Sequence, residues 1–287
     1  MNNKKVKPSQ TALKVALNII ALGNVPEMEN ILPGGIVSTT SELLRNSGAT
    51  SAKRINKHHS PKIVSLYKKF DWLLPGQFKA FGFRKAFCEH NVKEAIKDGA
   101  TQVLILGAGY DTIGFRLSQE FPQTKFFEID QPATAELKIK GIDKMGPPGN
   151  LHFIPEDLSE KKLVNVLESR PLWNHETKSI IIAEGLLQYL SPNSVIELFE
   201  QCNLSTGPES RIVFTYIKKG ADGKPYAGPR TNLLLWLLKI TREPWLWATD
   251  LIELKQLLVD TGWRYSAELF RNIKSSGVEY FGGAIKK

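Results

Sequence analysis

From residue 101 onward the chain alternates short β-rich segments with helical stretches, and this rhythm limits its possible folds more than any other feature. The β-rich segments are Thr101–Leu106, Lys125–Ile129, Leu151–Ile154, Ser179–Ala183 and Arg211–Tyr216, rich in the branched and aromatic side chains that suit a pleated surface. Between them, Gln131 and Pro132 open one helix, and Ser191 caps another with Pro192 at its first position. Strands that recur every ~25–30 residues with helices between them need right-handed crossovers, so the expected fold is α/β, a Rossmann-like sheet with helices on both faces. Asp250 can cap a later helix with Glu253 three places on, Gly262 can end it, and the closing VEYFGGAIKK reads as a last strand at the sheet's edge. Residues 1–95 show no such alternation and are expected to form a helical N-terminal cap on a Rossmann-like domain at 96–287, with an insertion near 217–248.

Composition narrows the partners. With 42% apolar and 23% charged residues in 287, the chain has material for a sizeable core. Its formal charge of +9 suits an acidic partner, but the basic residues are dispersed, the densest group being Lys4, Lys5 and Lys7. No nucleic-acid-binding motif accompanies them, so no nucleic-acid partner is expected. Cys88 and Cys202 are far apart in helix-like contexts, which points to free thiols in a reducing compartment and a soluble cytoplasmic protein. TALKVALNIIALGNV near the start resembles a secretory signal, but Lys14 and Asn18 interrupt it and Leu13, Leu17 and Ile20 fall at helical spacing. LLLWLLKI, Leu233–Ile240, falls well short of the ~20 residues a bilayer needs. Either it is a buried cap helix, the preferred reading, or it forms an apolar wall for a substrate. No membrane partner is expected.

The chemistry concentrates after the strands. QVLILGAGYDT carries Gly107 and Gly109 just past the first strand, where a turn without Cβ atoms lets backbone approach a ligand beyond the strand ends. Tight strand-to-helix packing would also account for two glycines there. The fuller G-x-G-x-x-G pattern fails, because position 112 is Thr. Asp111 or Thr112 can cap the next helix. The second strand ends on Asp130, 21 residues past Gly109, where a carboxylate can accept both hydroxyl protons of a ribose or simply cap a helix. The third strand leads into PEDL and the fourth into AEG, so Asp130, Asp157 and Glu184 reach one rim. Crowded acids repel the pyrophosphate of a dinucleotide and suit S-adenosylmethionine, which has a diol, an exocyclic amine, an ammonium and a sulfonium but no phosphate. On that reading Asp130 holds the ribose, Asp157 accepts from the adenine amine, the Leu158 N–H donates to the ring, and Glu184 faces the amino-acid end or anchors the ribose side.

GFRKAFCEHNVKEAIKDGATQVLILGAGYDTIGFRL, FFEIDQPATAELK, FIPEDL, IAEGLLQYL and the later REPWLWATDLIELKQLLVDTGW together resemble the leucine carboxyl methyltransferase-like family of class I S-adenosylmethionine-dependent O-methyltransferases, a resemblance that covers roughly residues 10 to 285. The resemblance implies a mostly parallel class I sheet with an antiparallel last strand. It also implies S-adenosyl-L-methionine as cofactor, and contacts at Arg84 for the methionine carboxylate, Gly107 in the glycine turn, Asp130 at the ribose, Asp157 and Leu158 at the adenine, and Glu184 after the fourth strand. Lys79 and Lys85 rival Arg84. Where many relatives have an arginine after the aspartate-threonine pair this chain has Ile113; Arg116 is retained, for packing or pairing within its helix.

The implied reaction is an in-line displacement by a substrate oxygen, carboxylate or hydroxyl, on a sulfonium methyl. A carboxylate needs no base; for a hydroxyl, Tyr189, His152 or Glu184 are candidates, with packing the simpler role for Tyr189 and His152. His58-His59 lacks the spaced partners of a metal site, so no metal is assigned. A small-molecule acceptor is favoured over a protein C-terminus because the cap carries Trp236, Trp245 and Trp247. The alternatives are a nucleotide-dependent oxidoreductase and a non-catalytic binding protein of the same fold.

Overall fold

The computed structural model describes residues 7–240, 243–270 and 277–287; Lys4 and Lys5 of the basic cluster and Arg242 of the late motif lie outside the described residues. Five helices lead the chain: α1 (Gln10–Leu22), α2 (Ile36–Ser47), α3 (Ala52–His58), α4 (Lys62–Phe70) and α5 (Gln77–Lys97). The alternating region follows as β1 (Gln102–Leu106), α6 (Ile113–Glu120), β2 (Lys125–Asp130), α7 (Pro132–Asp143), β3 (Leu151–Pro155), α8 (Leu163–Glu168), β4 (Ser179–Ala183), α9 (Pro192–Leu204) and β5 (Arg211–Ile217). Then come α10 (Thr231–Ile240), α11 (Leu251–Asp260), β6 (Trp263–Tyr265) and β7 (Glu279–Lys286). The caps sit where the sequence places them. Ser191 accepts from the Ser194 N–H, and Asp250 accepts from the N–H groups of Ile252 and Glu253.

The seven strands run in the order β3-β2-β1-β4-β5-β7-β6. β3 to β5 are parallel, while β7 pairs antiparallel with both β5 and β6. The chain winds outward from β1 in one direction and from β4 in the other, so the crevice between β1 and β4 is the topological switch point. One expectation is corrected here. VEYFGGAIKK forms an interior strand, because Gly262, at φ +83°, swings the chain past it and the three-residue β6 takes the edge. Trp263 anchors that edge, fully buried with its indole N–H donating to the Phe199 carbonyl at 2.9 Å.

Alternate residues of the central strands feed two cores. Val103, Ile105, Ile180, Ile182 and Val213 pack with α1, α2 and α5 on one face, while Leu104, Leu106, Ile181, Ala183 and Phe214 pack with α8, α9 and α11 on the other. This two-sided burial explains why β1 and β4 read as continuous apolar runs. Cys88 and Cys202 are both buried and free. The LLLWLLKI run departs from expectation: only Leu234 of α10 is buried, whereas Leu233, Trp236 and Ile240 are exposed. Among the described residues no helix is long and apolar enough to cross a membrane.

Candidate functional site

The β1 turn is built on left-handed backbone, with Gly107 at φ +64° and Gly109 at φ +49°. The Ala108 N–H donates to the Ile129 carbonyl at 3.2 Å and ties the turn to β2. The Gly109 N–H donates to Asp130 Oδ2 at 2.6 Å, and the Asp111 N–H closes the turn on the Ala108 carbonyl at 2.9 Å. Beneath it, Lys138 of α7 forms a fully buried ion pair with Glu128 of β2. A Cβ on Gly109 would stand 2.9 Å from the Ala12 Cβ, so α1 lies directly over the turn as a roof. Two ties fix that roof. The Ser9 N–H donates to Thr134 Oγ1 at 2.9 Å, and both the Thr11 N–H (3.3 Å) and the Thr11 hydroxyl donate to the carboxylate of Glu243.

The three acids expected at one rim do end adjacent parallel strands, but in different surroundings. Asp130 is largely buried, and burial raises its pKa against the opposing pull of the Gly109 N–H and Lys138, with Asp157 pushing the same way as burial. Asp157 is half-buried; its Oδ1 accepts from the N–H (2.9 Å) and the hydroxyl (2.7 Å) of Ser159. Next to it the Leu158 side chain packs on the second core, and its N–H has no hydrogen-bond partner among the described residues.

Glu184 is enclosed by cations. Its Oε1 lies 2.6 Å from Arg84 Nε, without hydrogen-bond alignment, and 2.7 Å from Lys85 Nζ. Arg84 and Lys85 are consecutive on α5, so they leave the helix about 100° apart and straddle the carboxylate from two sides. Lys85 continues to Asp111, and Arg84 Nη1 donates to Glu279 Oε1 at 2.6 Å. Gln77 Nε2 donates to the same Glu279 oxygen at 3.0 Å, and Phe81 stacks under the guanidinium with 4.7 Å from Cζ to its ring centroid. Burial works against the charge on both cations, yet Glu279 and Glu184 raise Arg84, and Asp111 and Glu184 raise Lys85. Asp111 moves down because Lys85, with help from Lys138 and Arg116, outweighs its desolvation. Among the described residues this ladder sets Arg84 and Lys85 against the carboxylates of Glu184, Glu279 and Asp111.

Of the sequence candidates, the structure brings Arg84, Gly107, Asp130, Asp157, Leu158 and Glu184 to the carboxyl edge of the sheet or against it. Lys85 joins Arg84 there, whereas Lys79 pairs with Glu27 at 3.2 Å and is half exposed. Asp111 accepts from the Ile113 N–H at 2.8 Å and pairs with Lys85, so it both caps and carries charge, while Thr112 makes no side-chain cap. Arg116 bonds Thr112 in its own helix and also reaches Glu89 of α5 at 2.5 Å. His152 is half-buried beside Phe127, with 5.0 Å between ring centroids. Among the described residues no cluster of His, Cys, Asp or Glu could hold a metal ion. Glu279 is the residue the sequence reading missed. Because β7 is antiparallel, its first residue reaches the rim where the parallel strands end, and an acid opening an apolar last strand was the available signal.

On the cap side, the Leu246 N–H donates to the Gln188 carbonyl at 2.7 Å, which sets the 243–247 loop on the turn after β4. The Gln188 Oε1 atom is buried without a hydrogen-bond partner among the described residues, and the Trp245 indole lies against the Tyr189 phenol. Tyr189 lies in the same region, its phenol pKa raised by burial and then by Glu279. Trp247 belongs to the core, Trp236 faces outward, and Trp245 packs partly buried against the cluster of Ile217, Ala227, Leu234 and Val278.

The strand order and glycine turn define an α/β methyltransferase-like fold. Structures similar to it include the "putative methyltransferase" from Thermobifida fusca YX, 16% identical with a TM-score of 0.61 and covering 91% of this chain and 98% of that one. A DUF574 family protein from Streptomyces avermitilis is 10% identical with a TM-score of 0.59, covering 87% and 97%. Within that fold the leucine carboxyl methyltransferase family profile matches residues 38–203, more than half of the chain, and the chain belongs to that family. Among curated relatives it is 28% identical over 181 residues to the "Putative S-adenosyl-L-methionine-dependent methyltransferase YktD" of Bacillus subtilis, covering 62% of this chain and 59% of the relative. It is 35% identical over 117 residues to a "Putative S-adenosyl-L-methionine-dependent methyltransferase" of Mycolicibacterium smegmatis, covering 40% and 36%. The chain thus spans less than two thirds of the length of these relatives.

Proposed function

We propose that the protein is an S-adenosylmethionine-dependent methyltransferase that methylates a carboxylate or hydroxyl oxygen, with a small molecule as acceptor. The observation that carries this reading is the gathering of acids at one edge of the sheet, where Asp130 is desolvated and feels the like charge of Asp157. Such an edge disfavours a pyrophosphate and favours a phosphate-free ligand of net positive charge, and S-adenosylmethionine at neutral pH is one. The names of the relatives and the family membership point the same way, and favour methyl transfer over the dinucleotide-dependent alternative.

The residues fit the cofactor. Asp130, in contact with Gly109, would take the ribose diol, and Gly107 would let the adenosyl group pass close to the backbone. Asp157 has Oδ2 left for the adenine amine, and the unbonded Leu158 N–H would donate to the ring. Arg84 Nη2, with no partner among the described residues, would bind the methionine carboxylate, while Glu184 and Glu279 hold the guanidinium in place. The cofactor supplies an activated methyl carbon on sulfonium sulfur. The chain's part is to align the acceptor oxygen behind that carbon and to exclude water with α1 and the 243–247 loop, which can provide most of the rate when the nucleophile is already ionised. A carboxylate acceptor requires no proton transfer. For a hydroxyl acceptor Tyr189 is a candidate on the cap side, but its raised pKa disfavours the phenolate at neutral pH. The unpartnered side-chain oxygen of Gln188 would be satisfied by a donor group on the acceptor molecule.

Calorimetric titration with S-adenosylmethionine, S-adenosylhomocysteine and NAD tests the cofactor: the first two should bind and NAD should not. Radiolabelled methyl transfer into a metabolite extract tests the reaction, and base treatment of the product separates a labile ester from a stable ether. Binding of NAD alone, or no labelled product from a broad extract, would defeat the proposal.

A further inference from the structure

The α4 and α10 segments each expose apolar side chains that the site does not use. Leu66 and Phe70, four residues apart on α4, and Trp72 just beyond it are 42%, 58% and 48% exposed. On α10, Leu233, Trp236 and Ile240 fall at i, i+3 and i+7 and are 42%, 58% and 58% exposed. The two stretches are joined. Arg230, which precedes α10, donates to the Trp72 carbonyl at 3.2 Å and holds its guanidinium 5.0 Å above the Trp72 ring, while Leu73 and Leu74 share a core cluster with Leu234 and Leu238. A helix that is apolar on all sides is normally buried. Here only the Leu234 side of α10 is covered.

The charge around this face decides what covers it. Residues 62–72 and 223–240 contain six lysines and arginines and a single acid, Asp71, whose carboxylate is occupied by the Gly76 N–H at 2.9 Å. Among the described residues Lys68, Lys69, Arg230 and Lys239 make no ion pair with a carboxylate. Aromatic and aliphatic side chains ringed by unneutralised lysines are the composition of a helix that lies in the headgroup region of an anionic bilayer. A second copy of the chain would bring lysines against lysines and is the poorer occupant. The face also adjoins the candidate site, since Glu243 bonds the roof and Leu246 the turn after β4.

We infer that α4, the Trp72 turn and α10 form a peripheral docking surface for an anionic membrane. This departs from the expectation of no membrane partner, which rested on the lack of a crossing segment, and it stands independently of the methyl-transfer reading because its test reads only partitioning. The purified full chain is sedimented with phosphatidylcholine vesicles containing or lacking phosphatidylserine. Binding should require phosphatidylserine and weaken with added salt. Trp236→Ser/Ile240→Ser and Lys68→Glu/Lys69→Glu should each reduce it by about tenfold or more, at an unchanged melting temperature. The lysine pair alters surface charge alone, so it decides the matter should the apolar variant fold poorly. Equal sedimentation with both vesicle types, undiminished binding of the lysine variant, or a concentration-dependent dimer dispersed by Trp236→Ser/Ile240→Ser in a protein that ignores vesicles would each overturn the inference.

Discussion

Asp130 is held at a cost. Burial raises its pKa, and the N–H groups of Gly109 and Gln131 with the charge of Lys138 only partly offset that. A carboxyl whose folded pKa lies above its unfolded value adds stability below the unfolded value and loses it as pH rises through the folded one. At neutral pH the charge therefore works against the empty fold and in favour of a ligand with hydroxyl donors. Asp130→Asn should leave the melting temperature unchanged or raised, while weakening S-adenosylmethionine binding by about 1–3 kcal/mol, the range for losing a charged hydrogen-bond partner. Calorimetry and thermal melts on one preparation check both signs. Wild-type affinity should fall on acidification at a pH above the ordinary aspartate range near ~4, and the Asn variant should lack that step. Equal loss of stability and affinity would mean that Asp130 holds the glycine turn and nothing more.

At the level of elements, the contact between α1 and the β1 turn makes a sharper demand. Gly109 combines left-handed backbone with the absence of space for a Cβ, because Ala12 stands in the way. Gly109→Ala should cost about 1–2 kcal/mol for the backbone alone, and more as α1 is pushed off the turn. Adding Ala12→Gly should recover the steric part and leave the backbone part, which a double-mutant cycle in chemical denaturation can separate. The glycine turn, the five parallel strands and the acids at their ends were legible in the sequence, because each is written in a few consecutive residues. The roof and the second anchor of Arg84 were not. Thr11 and Glu243 are 232 residues apart and Arg84 and Glu279 are 195 apart, so neither pairing leaves a local pattern. β7 was recognisable as a strand, but its place inside the sheet depends on where β6 turns. The apolar α10 misled for a related reason: composition signals what could be buried, and only tertiary contacts decide which side is.

Across the whole molecule, the N-terminal helices and the sheet share one core. Leu17 and Ile20 of α1, Leu43 of α2 and Phe87 of α5 lie in the same buried cluster as Ile105 of β1, Val213 of β5 and Phe281 of β7. Each Leu or Ile so buried contributes about 1.5–3 kcal/mol of transfer free energy, so α1 cannot leave without opening the sheet's face. Residues 1–95 should therefore unfold together with the remainder and not as a separate cap. Five of the six tryptophans, Trp173 to Trp263, lie beyond residue 100, so tryptophan fluorescence reports mainly on the sheet half while amide exchange in α1 reports on the other. The two probes should give coincident denaturant transitions. A cofactor that touches both halves stabilises the whole by about 2.7 kcal/mol at ~100 times its Kd, and should move both transitions equally. A first transition in α1 that precedes the fluorescence change, or one that ignores the cofactor, would show that the roof is a separable cap and that the site is completed only when it docks.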